Sequence, residues 1–391
     1  MDNQEIILPD TSKLIVSSSP HVLTKEHVNG IMRDVIIAMI PACAAGIIFF
    51  GISAFNVLLL CTLFCVGLEG LMLKILGKSL NALKDGSAIV TGLLLGMNLA
   101  AGTPWWVCFI GSILAIVLAK HLYGGLGYNP FNPALVARVG LLIAFPAQLT
   151  NCWPVNRFGE KAAQMKEALA DLISGDLSPI MLQNSGQFTK EQYLAIKDAF
   201  LNKTTLIVDT VTSATPLDTI SHATVNQQTG LVEGMPVMEY MDYFMGYIGG
   251  CIGETSALAI LIGGAYLIYR RLIRWQVPFF YILTVLLITG IMHMIHPDMS
   301  ATPLFHILTG GLMLGAFFMA TDMVTSPVSA KGAIIYAVGC GLITSVIRLW
   351  GSYPEGVSFS ILFMNAFVPL IDRISAKKVF GSKEAAQGGA A

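Results

Sequence analysis

Charge is scarce in this chain. Asp, Glu, Lys and Arg make up 12% of its 391 residues, about half the ~25% of an ordinary soluble domain. That scarcity excludes a solvated globular surface. Paired cysteines are missing too. The seven cysteines form no CxxC, so no zinc or iron–sulfur pattern is present. Cys43, Cys61, Cys65, Cys108, Cys251 and Cys340 lie in apolar runs and Cys152 opens a polar stretch; they read as small packing residues. The N-terminus, MDNQEIILPDTSKLIV, has neither a basic start nor an apolar centre, so it does not read as a secretory signal. A net charge of −1 gives no footprint for a nucleic-acid partner. Short alternating segments, the mark of a membrane β-barrel, are missing as well.

What is abundant is long apolar sequence: 54% of residues are hydrophobic. A bilayer core of ~30 Å needs about 20 apolar residues per helix. The chain therefore reads as an all-α polytopic membrane protein with about ten transmembrane helices. The spans expected are 31–51, 54–77, 86–100, 104–121, 133–148, 243–269, 275–295, 303–320, 331–349 and 356–372. This organisation divides into a cytoplasmic segment 1–30, a five-helix half 31–148, a large loop 149–242, a second five-helix half 243–372 and a cytoplasmic tail 373–391. With both termini in the cytoplasm, most Lys and Arg outside the long loop fall on the inner side, as the positive-inside rule requires. Arg348 is the exception. The loop 149–242 then faces outward from a plasma membrane.

Five spans on each side of the loop would insert the second half upside down. TGLLLG at 91–96 and TGGLMLG at 309–315 each fall in the third span of their half, and AAGTPWW and ATDMVTSP break the chain after them. Inverted repeats with broken helices place polar sites near the bilayer middle. Chance likeness of Gly-rich packing helices is the plainer reading.

Some residues in these spans are costly. An acid at mid-membrane costs about 2.5–3.5 kcal/mol on insertion scales. Glu69 and Glu254 sit inside apolar runs, and Asp85 and Asp322 near span ends. All four are candidates for an ion path, with capping of broken helix ends as the alternative. For Asp85, which opens DGSAIVTG, a helix cap is the better reading. The segment 120-KHLYGGLGYNPFNPALVAR-138 contains Pro130 and Pro133, which forbid one continuous helix. Irregular backbone at membrane depth survives only where protein or a cavity satisfies it. Asn129 and Asn132 would line a pocket for a planar heteroaromatic ring, or merely form a turn. His121, His293, His296 and His306 read as interfacial polar residues, not as haem ligands.

The stretch 209-DTVTSATPLDTI-220 lies in the long loop. Its hydroxyls favour turns, and no His or Lys stands beside them to activate a nucleophile. A hydroxyl there can still accept a group from another enzyme. Asp209, Thr212, Ser213, Ala214 and Thr215 follow the pattern D-x-x-(S/T)-(G/S)-A-T. With 17-SSSPHV-22, 252-IGETSALA-259, 321-TDMVTSP-327 and 352-SYPEGVSFSILFMNAFVPLID-372, the chain resembles the RnfD/NqrB family, and its RnfD branch more than the quinone-reducing NqrB branch. Thr210 departs from the pattern, where Gly often follows the acid.

The resemblance implies FMN joined through its phosphate to Thr215 by an exported flavin transferase, and a noncovalent riboflavin. It implies partner subunits RnfA, RnfB, RnfC, RnfE and RnfG, and electron transport between ferredoxin and NAD+ coupled to Na+ or H+. A flavin at the outer face and a donor at the inner face are separated by about 30 Å of hydrocarbon, so a second cofactor within the bilayer is expected; the pocket at Asn129 and Asn132 is the candidate. An NqrB-like quinone-reducing subunit and a small-solute channel or carrier remain the alternatives.

Overall fold

The computed structural model describes residues 27–150, 224–225, 232–233, 240–295, 301–351 and 355–375. Most of the segment 149–242 therefore lies outside the described residues, as do most of the two tails. The described chain is almost wholly helical. A two-residue antiparallel pair, β1 (Thr224–Val225) and β2 (Val232–Glu233), is the exception.

Among the described residues, five helices are long and apolar enough to cross a membrane: α1 (Val28–Phe50), α2 (Ile52–Ile75), α9 (Gln276–Ile295), α12 (Ala330–Trp350) and α13 (Val357–Ser375). Between α2 and α9 come α3 (Ser87–Met97), α4 (Trp105–Ile113), α5 (Pro133–Ala144), α6 (Pro146–Thr150), α7 (Tyr240–Met245) and α8 (Ala257–Tyr269). Before α12 come the short α10 (Pro303–Leu308) and α11 (Leu312–Leu314). Large apolar side chains such as Ile40, Leu63, Phe279, Leu287, Leu342 and Phe363 point outward. Such a surface suits hydrocarbon, not water.

One large hydrophobic core takes buried residues from both sequence halves, α1 to α13, and a smaller cluster of Tyr243, Ile248, Ala301 and Phe305 joins α7 to α10. Small residues allow the helices to close on each other. A Cβ at Gly92 of α3 would stand 2.6 Å from the Thr62 Cα of α2, so this contact requires glycine. α1 packs against α8, α5 against α13, and α9 against α12.

Two interruptions set up the interior. The span expected at 243–269 is broken between α7, which ends at Met245, and α8, which begins at Ala257; between them the turn at residues 251–254 lies against the end of α3. Ile252 N–H donates to the Leu99 carbonyl at 3.1 Å and Gly253 N–H to the Met97 carbonyl at 2.8 Å. The span expected at 303–320 is broken at Gly310 and Gly311 into α10, α11 and a π-helix, Gly315–Met319. A second π-helix, Leu114–His121, continues α4. Backbone groups freed by these breaks are met by protein, as hydrocarbon demands.

Candidate functional site

Two polar clusters lie in the interior, near opposite ends of α3. The first gathers at its N-terminus. Asp85 Oδ1 accepts from the Ser87 N–H at 2.8 Å and from the Ser87 hydroxyl at 2.7 Å. This is the capping contact read from DGSAIVTG, made one residue before Gly86. The Ser87 hydroxyl in turn accepts from Lys120 Nζ at 2.8 Å. Lys120 also donates to Glu69 Oε2 at 2.9 Å, and His121 Nε2 stands 3.2 Å from the same oxygen. Lys120 and His121 are consecutive, yet both reach Glu69. The wide turn of the π-helix allows this: its i→i+5 bonds, such as Leu122 N–H to the Val117 carbonyl at 3.0 Å, change which side chains share a face. Glu69, Lys120 and His121 are all buried, although His121 was expected at an interface.

This cluster borders a cavity of about 110 Å³. Ser87, Lys120, Asn129, Asn132 and Asp322 line it beside Val90, Leu94, Ile273 and Phe318. The walls thus come from both sequence halves, with one side chain from each π-helix. Asn132 builds the wall more than it faces a ligand. Its Oδ1 caps α5 by accepting from Ala134 N–H at 3.1 Å, and its Nδ2 donates to the Met319 carbonyl at 3.3 Å. Asn129 Nδ2 likewise donates to the Phe131 carbonyl at 3.0 Å. Asp322 accepts from the Thr325 hydroxyl at 3.2 Å.

The second cluster lies where α3 ends. Arg138 of α5 donates to the Asn98 carbonyl, to Glu355 just before α13 and to Cys251 Sγ at 3.2 Å. Glu254 Oε1 accepts from Cys251 N–H at 2.8 Å. Single ligand atoms of Cys251, Glu254 and Glu355 all lie within 4.8 Å of one another. A guanidinium bound to two of those residues opposes a metal cation there. Nearby, Arg348 donates to the His306 and Thr309 carbonyls, the latter at 3.2 Å. That explains why Arg348 broke the charge rule: it serves the broken helix ends, not a loop. His306, expected at an interface, is buried.

Of the residues singled out from sequence, Glu69, Asp85, Asp322, Asn129 and Asn132 come together around the cavity, directly or through Ser87 and Lys120. Glu254 belongs to the other cluster. Asp209, Thr212, Ser213, Ala214 and Thr215 lie outside the described residues. Lys120, His121, Arg138 and Glu355 were not expected as site residues, and Cys251 was read as plain packing. Asp34 of α1 was also missed; it accepts from Arg270 at 2.7 Å and from the Tyr266 hydroxyl at 3.2 Å, tying α1 to the end of α8. The adjacent Lys-His at the end of an apolar run was the sequence signal for Lys120 and His121.

These features define a polytopic helical membrane protein whose costly charges are gathered inside in two clusters, one of which borders a cavity. Residues 15–381 match the family model described as NQR2, RnfD, RnfE, and the chain belongs to that family. It is 40% identical over 370 residues to the D subunit of the Na(+)-translocating ferredoxin:NAD(+) oxidoreductase complex of Acetobacterium woodii, covering 94% of this chain and 95% of that one. It is 39% identical to the D subunit of the ion-translocating oxidoreductase complex of Stutzerimonas stutzeri, covering 92% and 94%. The protein of the same name from Escherichia coli O1:K1 is 36% identical, covering 94% and 99%.

Proposed function

We propose that this chain is the membrane subunit of an ion-translocating ferredoxin:NAD+ oxidoreductase complex, working with the other Rnf subunits. The likeness over more than nine-tenths of chains named as D subunits of such complexes carries this reading. The chain relays electrons; ferredoxin and NAD+ are handled by partner subunits.

On this reading Thr215 carries FMN by a phosphoester, and Asp209, Thr212, Ser213 and Ala214 form the sequence that the flavin transferase recognises. The relatives and the acceptor motif support it. A tryptic digest of the complex from its native host should yield the Thr215 peptide with one added FMN. Thr215→Ala should abolish in-gel flavin fluorescence in the denatured chain while leaving its expression unchanged. A bare Thr215 peptide would sink the covalent assignment.

The cavity is the proposed seat of the noncovalent flavin. Its apolar walls at Val90, Leu94 and Phe318 suit a ring face, and Ser87, Lys120 and Asp322 supply a polar margin. When bound, a flavin supplies one-electron transfer. The chain's own part is to enclose the ring between both halves and to set the charges at its edge.

The ten-span, inverted-repeat arrangement belongs to the same proposal. The five long helices, the shorter apolar helices at 87–97, 105–121, 133–144 and 257–269 and the broken 303–319 make up such a set. The pairing of α1 with α8 and of α5 with α13 joins helices of equal rank in the two halves, as a two-fold axis would. Both termini then lie in the cytoplasm and 149–242 outside. Single-cysteine labelling in intact cells at the 149–242 loop and at the C-terminal tail tests this; label on the tail but not on the loop would reverse it.

A further inference from the structure

Among the described residues, Lys120 is the one basic side chain lining the cavity. It does not point freely at the space. Glu69 Oε2 holds it at 2.9 Å and the Ser87 hydroxyl at 2.8 Å. Behind Glu69 stands His121, 3.2 Å away, yet neither His121 ring nitrogen has an aligned hydrogen-bond partner. Glu69 thus has a second cationic or hydrogen-bonding group within reach. Behind Ser87 stands Asp85, which accepts from the serine hydroxyl at 2.7 Å. Lys120 is therefore an ammonium held in a divided grip beside a cavity, and its counter-ion Glu69 has a second partner at hand in His121. The cavity's other ionisable wall residue, Asp322, is an acid on another element, already engaged with Thr325.

We propose that Lys120 is the charge-compensating residue for a redox ring in the cavity, and that Glu69 governs how much of its charge the ring feels. This rests on the reading that a noncovalent flavin occupies the cavity. The ring gains one electron, and reduced ferredoxin, the donor of the proposed complex, loses one through the partner subunits. No bond forms or breaks at Lys120, and the ammonium keeps its proton. The added negative charge draws Lys120 toward the cavity, and Glu69 turns to His121. In a water-poor site this interaction is screened far less than at a surface, so the ammonium favours the reduced ring.

The two partners should therefore act in opposite directions. In the purified complex, the noncovalent flavin is released by denaturation and weighed, and its midpoint potential is followed by spectroelectrochemical titration. Lys120→Met should shift that potential downward, because the cation is gone. Glu69→Gln should shift it upward, because the cation is no longer countered. Lys120→Arg should restore most of the loss. The covalently held flavin serves as an internal control and should not move. A purely structural role for the pair would loosen the same wall in both variants and move the potential the same way.

Shifts of equal sign, or none, overturn the proposal while leaving the flavin in place. If Lys120→Met empties the cavity, the Glu69→Gln shift alone decides: upward supports the proposal, and unchanged or downward overturns it. A wild-type complex that releases no noncovalent flavin overturns the occupant itself, and with it this inference.

Discussion

The two buried clusters are built from the same kinds of residue and solve different problems. Around Glu69, one acid, one lysine and one histidine share a wall with a cavity, and their polar chain runs through Ser87 to Asp85. Around Arg138, one guanidinium takes up the open end of α3 at Asn98, the chain before α8 at Cys251 and the chain before α13 at Glu355. The first cluster uses a flexible point charge with alternatives. The second uses a planar fork whose donors are committed in fixed directions. The difference teaches where motion is tolerated. A Lys that can change partner suits a site whose occupant changes charge; an Arg that ties three broken segments suits a joint that must hold.

Breaking the joint should cost the most. Arg138→Met leaves Glu355 without its ion partner and the Asn98 carbonyl with only the weak thiol donor of Cys251 at 3.2 Å. Removing one member of a buried pair costs about 3–5 kcal/mol. We expect a large fall in the thermal midpoint of the detergent-solubilised complex. Arg138→Met combined with Glu355→Gln should recover part of that loss, since no lone buried charge is left. If the double variant is no more stable than the single one, the Arg138–Glu355 pair is not what holds the segments.

The first cluster should break more gently. Ser87→Ala removes one of the two groups that hold Lys120 and leaves Glu69 in place. The hydroxyl's bonds from Lys120 and to Asp85 are both lost, so at about 0.5–1.5 kcal/mol per hydrogen bond the expected loss is about 1–3 kcal/mol. A loss as large as that of Arg138→Met would erase the contrast drawn between the clusters. Thermal midpoints measured on both variants in one detergent make the comparison.

Much of the scaffold is legible in the amino-acid sequence. Apolar runs 54–77, 275–295 and 331–349 correspond within about two residues to α2, α9 and α12, because a continuous apolar run has one solution in a bilayer. The same rule misread 243–269 and 303–320. Hydropathy does not register that Gly246, Gly249, Gly250 and Gly253 let the chain leave the helix before Ala257, nor that Gly310 and Gly311 split the next segment. The site followed the same pattern. Asn129, Asn132, Glu69 and Asp322 stood out because polar groups in oil are conspicuous. Lys120 and Arg138 did not, because each sits at the margin of an apolar run where the positive-inside count had already used it as a loop charge. Only packing shows that both face inward, and that a π-helix sets Lys120 and His121 side by side on Glu69.

The smallest effect is expected at the third ion pair, and it tests whether burial of one partner is enough. Asp34 is buried, but the Arg270 side chain that donates to it at 2.7 Å is 48% exposed. Exposed partners are screened, and such pairs are worth about 0–1 kcal/mol. Arg270→Gln retains a donor for Asp34, and the Tyr266 hydroxyl remains at 3.2 Å. The thermal midpoint of this variant should lie close to that of the wild type. Asp34→Asn should be similarly mild. If Arg270→Gln instead destabilises as much as Arg138→Met, the ranking cannot rest on desolvation. The tie between α1 and α8, and not the Arg138 fork, would then be the principal joint between the two halves of the chain.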